Sequence, residues 1–131
     1  MNNKILLIDD DESLLFGYKV EMELEGFVVH TATSIQEAEE CLQESKYIAV
    51  ITDLNLSGKD TQEGLLIISF AKKHQPLSTI MLITGTSDDE IEQRALETGA
   101  HIYLEKPVEA KKIAGLIRQR SIDDREGKTP H

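Results

Sequence analysis

Five short apolar runs alternate along this chain with longer segments of helical period, and that alternation limits the fold more than any other feature. The runs are Ile5 to Ile8, Phe27 to Val29, Ile48 to Ile51, Ile80 to Ile83 and Ile102 to Leu104. Each is rich in branched or aromatic side chains and has the length of a strand. In the segments between and after them, apolar residues return every three or four positions: Leu15, Tyr18 and Met22; Ile35, Ala38 and Leu42; Leu65, Ile68 and Ala71; Ile91, Ala95 and Leu96; Ile113, Leu116 and Ile117. Boundary signals agree. Ser34 with Glu37 and Ser87 with Glu90 have capping-box spacing, Gly26 and Gly99 stand where helices should stop, and Pro76 closes the third helix. Nearly continuous apolar strands must be covered on both faces, so five β-then-α units imply an α/β fold. The expected fold is a doubly wound five-stranded parallel sheet, (βα)5, with right-handed crossovers.

The chain's 131 residues suit one domain, expected over 1–120, with a polar tail over 121–131 that is mobile or a linker remnant. A net charge of -10 disfavours nucleic acid and anionic membranes as partners, leaving proteins and cations. The single cysteine, Cys41, falls on an apolar-periodic stretch and reads as a buried, inert thiol. No apolar run reaches the roughly 18 residues of a membrane span, and the N-terminus lacks a signal-peptide layout, so a cytoplasmic setting is expected.

In doubly wound folds ligands bind beyond the carboxyl ends of the strands. That rule gathers Asp9 and Asp10 after the first strand, Asp53 after the third, Thr84 at the end of the fourth and Lys106 after the fifth. Hard oxygen ligands in a small cluster suit Mg2+, which keeps water and phosphate oxygens in its remaining positions. Without metal, at least one carboxyl in the crowd should have a raised pKa. A carboxylate is also a nucleophile towards phosphorus, so Asp53 is the candidate phosphoacceptor. Thr84 could donate to one phosphoryl oxygen and Lys106 could pair with another, while Gly85 leaves room for a donor. Taken singly, a strand-end Asp is more often a helix cap, Thr84 a satisfied hydroxyl and Lys106 a surface charge. Asp11 and Glu12 fit that plainer reading, as acids that complement a helix dipole.

The stretches LLIDDD, VITDLNL, MLITGTS and GAHIYLEKPV, in this order, resemble the CheY-like receiver domain of two-component response regulators over about Lys4 to Arg120. The resemblance implies strand order 2-1-3-4-5. It makes Asp9 and Asp10 the acid pair, Asp53 the phosphoacceptor, Thr84 the switch hydroxyl and Lys106 the phosphate-sensing lysine. Asn55 matches the position whose backbone carbonyl ligates magnesium, and Tyr103 the aromatic whose rotamer reports phosphorylation; its plainer reading is a half-buried tyrosine against the fourth helix. Asn55 and Thr86 would border the water that hydrolyses the acyl phosphate. A histidine kinase or histidine phosphotransfer protein would donate the phosphoryl group, and the helix 4, strand 5 and helix 5 face would serve a homodimer. Such a domain is not an enzyme towards external substrates.

One stretch departs from the family. NLSGKDTQEG follows the acceptor, with Ser57 where proline is common and extra residues before Gly64, so a longer and more mobile third loop is expected. Two alternative readings are a receiver-like interaction domain that works without phosphorylation and a haloacid-dehalogenase-like phosphatase using Asp9 and Asp11. The phosphatase would need a further acidic strand-end motif after Lys106, where only Glu109, Asp123 and Asp124 follow. A flavodoxin-like flavin site is disfavoured because the first strand leads into acids rather than a glycine-rich phosphate loop.

Overall fold

The structure, a computed structural model, describes residues 2–58, 61–86 and 88–125. Its elements follow in the order β1 (Lys4–Ile8), α1 (Glu12–Leu24), β2 (Val28–Ala32), α2 (Ile35–Glu44), β3 (Ala49–Thr52), α3 (Glu63–His74), β4 (Thr79–Thr84), α4 (Asp89–Thr98), β5 (Ile102–Glu105) and α5 (Ala110–Arg125). The five strands form one sheet in the order β2-β1-β3-β4-β5. Every pairing is parallel. The doubly wound topology expected from the sequence is the one observed.

Alternation along the strands divides the interior in two. Leu6, Ile8, Val50, Ile80 and Leu82 face α2, α3 and α4, meeting Ala38, Leu42, Ile67, Ile68, Ala71 and Ala95. Ile5, Leu7, Ala49, Ile51, Met81 and Ile83 face α1 and α5, meeting Leu15, Met22, Ile113, Ala114 and Ile117. Both faces of the central strands are therefore covered, and β3 is buried along its whole length. A polar group can reach solvent from β3 only at its ends. Leu96 departs from its expected place on the apolar face of α4 and is 45% exposed.

Helix ends follow local chemistry. Asp11 caps α1 by accepting from the Leu14 N–H at 3.1 Å. Ser34 caps α2, but the Glu37 carboxylate reaches the backbone N–H of Thr33 instead of completing the box on Ser34. The cap of α4 is Asp88, which accepts from Glu90 and Ile91; Ser87, the expected cap, lies outside the described residues. Gly26 and Gly99, both at positive φ, stand where α1 and α4 end. The last helix continues past the expected boundary at Arg120 to Arg125, and 126–131 lie outside the described residues. Cys41 is half-buried rather than buried as expected, and burial is the main cause raising its thiol pKa. Among the described residues no helix is long and apolar enough to cross a membrane.

Candidate functional site

Parallel register brings the expected residues to one edge. Ile8 pairs with Thr52, so Asp9 and Asp53 leave neighbouring strands side by side. The Asp53 N–H donates to the Ile8 carbonyl at 2.9 Å, which fixes the start of the third loop against the first. Thr84 pairs with Glu105, and the Lys106 N–H donates to the Thr84 carbonyl at 2.8 Å. Four strand ends separated in sequence by up to ninety-seven positions thus converge.

The centre is a charged triangle. Lys106 Nζ lies 2.9 Å from Asp9 Oδ2 and 3.6 Å from Asp53 Oδ1. Asp9 is 8% exposed, and its Oδ1 accepts the Asp11 N–H at 2.9 Å. Asp53 is half-buried, and its Oδ1 accepts from the Leu54 N–H at 2.9 Å. Asp10 is exposed, yet one carboxylate oxygen from each of Asp9, Asp10 and Asp53 lies within 4.8 Å of the others. Carboxylates gathered this closely suit a hard divalent cation, and the exposed Asp10 leaves a path to solvent.

Burial pushes the Asp53 carboxyl above its ordinary value; Lys106 opposes that push and the negative Asp9 adds to it. The raised carboxyl expected without metal is therefore Asp53. For Lys106, burial alone would lower the pKa, but the hydrogen bond to Asp9 and the attraction of Asp53 and Asp9 outweigh it, and the net shift is upward. Both partners of the Lys106–Asp53 pair shift upward because the ammonium is held first by the closer Asp9. Asp53 consequently keeps much of its burial penalty. A cavity of about 30 Å³, enough for about one water, is lined by Asp9, Asp53 and Lys106 together with Leu15, Tyr18 and Ile113.

Around this centre, Thr84 is 1% exposed, and its hydroxyl oxygen accepts from the Thr86 N–H at 3.3 Å. Gly85 and Thr86 are exposed. A Cβ built on Gly85 would meet nothing within 4 Å, so this backbone beside Thr84 borders open space. Tyr103 is half-buried against the α2–α4 core, and its hydroxyl accepts from the Asp88 N–H at 3.4 Å, at the start of α4.

Described residues of the loop from Asp53 to Gln62 are anchored at several points. Leu54 and Leu56 are buried, and the Ser57 N–H donates to the Glu63 carboxylate at 2.9 Å. The Ser57 hydroxyl is the main cause holding the Glu63 carboxyl below its usual value. Lys59 and Asp60 lie outside the described residues.

Four residues with a part in this site carried no assigned role in the sequence: Gln62, Arg94, Gly64 and Tyr18. Gln62 adopts the left-handed conformation at φ 53°, donates its N–H to Asn55 Oδ1 at 2.9 Å, and accepts from Arg94 of α4 at 3.0 Å. Gly64 is packed so closely on the acceptor that a Cβ would stand 2.2 Å from the Asp53 carbonyl oxygen. A glycine in the first turn of a helix is a signal for such an approach; the Gln62–Arg94 pair, far apart in sequence, carries none. Tyr18 donates to the Val108 carbonyl at 2.6 Å, tying α1 to the loop that follows Lys106.

Comparison with known proteins places this geometry among relatives. The family described as the response regulator receiver domain matches residues 5–118. A putative response regulator NtrX-like protein of Rickettsia felis is 32% identical over 115 residues, which is 88% of this chain and 24% of the relative. The chain spans between about a quarter and about half the length of such curated relatives, 24% and 54% in two cases. Among solved structures, a CheY-like receiver domain protein of Methanospirillum hungatei superimposes with a TM-score of 0.86 at 26% identity, covering 98% of this chain and all of that one. A response regulator of Burkholderia pseudomallei, solved with a phosphorylated aspartic acid, a calcium ion and citrate, gives 0.83 at 27% identity, covering 96% of this chain and 73% of that one.

Proposed function

The chain belongs to the response regulator receiver domain family of two-component systems, and from that premise we propose that it accepts a phosphoryl group on Asp53 and so reshapes the face made by α4 and β5. The observation that carries the reading is the setting of Asp53: a half-buried carboxylate 3.6 Å from a lysine ammonium and clustered with two further carboxylates at a strand end. The phosphorylated aspartic acid and the cation of the Burkholderia protein support it.

The donor is a phosphohistidine on a histidine kinase or histidine phosphotransfer protein. One Asp53 carboxylate oxygen forms the new O–P bond as the N–P bond breaks, and its electron pair returns to the imidazole. Asp9, Asp10 and Asp53, with the backbone carbonyl of Asn55, are the oxygen donors that would hold Mg2+, which supplies neutralisation of charge on the transferring group. Lys106 offers its ammonium to one phosphoryl oxygen and Thr84 its hydroxyl proton to another. That bond from Thr84 exists only when the phosphoryl group is present, so it can shift a population of conformers in which Tyr103 and α4 move together. Asn55, Gly85 and Thr86 border the path of the hydrolytic water. The domain thus catalyses only its own phosphorylation and hydrolysis, in a cytoplasmic setting, and the α4, β5 and α5 face is the one a homodimer would use.

The test is intact mass after incubation with Mg2+ and acetyl phosphate, run beside Asp53→Asn and beside a chelated sample. A gain of one phosphoryl group that both controls lose is the expected result. No gain in folded protein would point instead to a domain that binds its partners without phosphorylation.

A further inference from the structure

Resting on that reading, we propose that Arg94 and Gln62 form a clamp through which the position of α4 sets how long the phosphoryl group survives on Asp53. The clamp is a chain of two hydrogen bonds that starts beside the acceptor. Asp53 leads in two residues to Asn55, whose side-chain oxygen accepts the Gln62 N–H at 2.9 Å. The Gln62 side-chain oxygen accepts from the Arg94 guanidinium at 3.0 Å. Arg94 lies on the exposed side of α4.

Several features mark the arrangement as a link rather than a chance surface contact. Gln62 has a left-handed backbone, at φ 53° and ψ 28°, which a side-chain-bearing residue adopts at a cost. That conformation lets the backbone serve Asn55 while the side chain serves α4. Other described parts of the loop are tied to their own neighbours: Gly64 donates to the Leu54 carbonyl at 2.7 Å, and Ser57 pairs with Glu63. Leu54 and Leu56 are buried on either side of Asn55, so a pull at Gln62 acts on a residue whose two neighbours are fixed. Arg94 has Glu90 and Glu97 at helical spacing on its own helix, yet its hydrogen bond crosses to the loop.

The start of α4 is also in contact with Tyr103, through the Asp88 N–H. The helix is therefore tied at its first turn to β5 and further along to the acceptor loop. Any displacement of α4 changes the tension on Gln62, and by linkage any change in the loop biases α4 equally. Arg94 and Gln62 are positioning residues, acting on Asp53 and its surroundings through Asn55. A closed clamp holds the Asn55 side chain in place beside the acceptor; an open one frees it, and hydrolysis of the aspartyl phosphate quickens.

The experiment compares wild type with Arg94→Ala, which opens the clamp, and Gln62→Glu, which places a carboxylate opposite the guanidinium and strengthens it. Two readouts are taken: amide hydrogen exchange at Gln62 and Gly64 in unphosphorylated protein, and the half-life of the aspartyl phosphate after donor removal at constant Mg2+. Arg94→Ala should speed exchange at Gln62 and shorten the half-life, each about threefold, and Gln62→Glu should do the reverse. The pair is exposed, so melting should move by no more than about 3 °C, separating a positioning effect from loss of stability. Unchanged exchange at Gln62 in Arg94→Ala, or half-lives equal to wild type in both variants, would overturn the proposal. If wild-type protein gains no phosphoryl group, the function proposed above fails and the lifetime effect falls with it, while exchange decides separately whether the clamp exists.

Discussion

Gly64→Ala offers a stringent test of how tightly the acceptor is packed. Alanine at this position would place its Cβ 2.2 Å from the Asp53 carbonyl oxygen and 2.8 Å from the Leu54 Cα. Both are backbone atoms, so no rotamer change relieves the overlap, and ordinary contact requires a movement of about 1 Å. Overpacking of this kind costs about 1–3 kcal/mol, and rigid backbone neighbours put Gly64 at the upper end. The helix preference for alanine over glycine returns at most about 1 kcal/mol. A net loss of about 2 kcal/mol is expected. Gly115→Ala is the matched control, because it lies in α5 and its Cβ would meet nothing within 4 Å. That variant should gain up to about 1 kcal/mol, so the two glycine replacements should differ by about 3 kcal/mol. Urea unfolding with a slope near 1.5 kcal/mol/M would separate their midpoints by about 2 M. Because the displaced atoms belong to Asp53 and Leu54, the surviving folded Gly64→Ala protein should also take phosphoryl groups from acetyl phosphate at least tenfold more slowly. If Gly64→Ala were as stable as Gly115→Ala, the close approach of α3 to the acceptor would be wrong, and with it the account of how Asp53 is held.

Two further outcomes follow from the charges. Because the folded state raises the Asp53 pKa, ionising this carboxyl opposes folding; Asp53→Asn should be more stable than wild type above the raised value, and the advantage should vanish below the ordinary value of 3.8, as urea midpoints across the pH range would show. Mg2+ bound at the Asp9, Asp10 and Asp53 cluster should raise the melting temperature by mass action, with about 2.7 kcal/mol of stabilisation at a hundredfold excess over Kd, and Asp10→Asn should abolish most of that rise.

Much of this molecule was legible in the sequence because the relevant signals are local or periodic. Strands and helices follow from the spacing of apolar residues, and the strand-end rule gathers Asp9, Asp53, Thr84 and Lys106 without any coordinates. Caps were less secure. Asp88 caps α4 through the N–H groups of Glu90 and Ile91, and the spacing of Ser87 and Glu90 gave no signal for it.

The fold class, the order of elements and the residue types at the strand ends follow from local chemistry, since hydrophobic period and turn signals act over a few residues. Packing of the separate elements sets the distances that make those residues a site. It paired Lys106 more closely with Asp9 than with Asp53, leaving Asp53 the carboxyl that burial raises. It also pressed Gly64 onto the acceptor backbone and joined Gln62 to Arg94. Such contacts depend on where separate elements come to rest against one another, which is set by packing summed over the whole core and is not encoded at either end of any one contact.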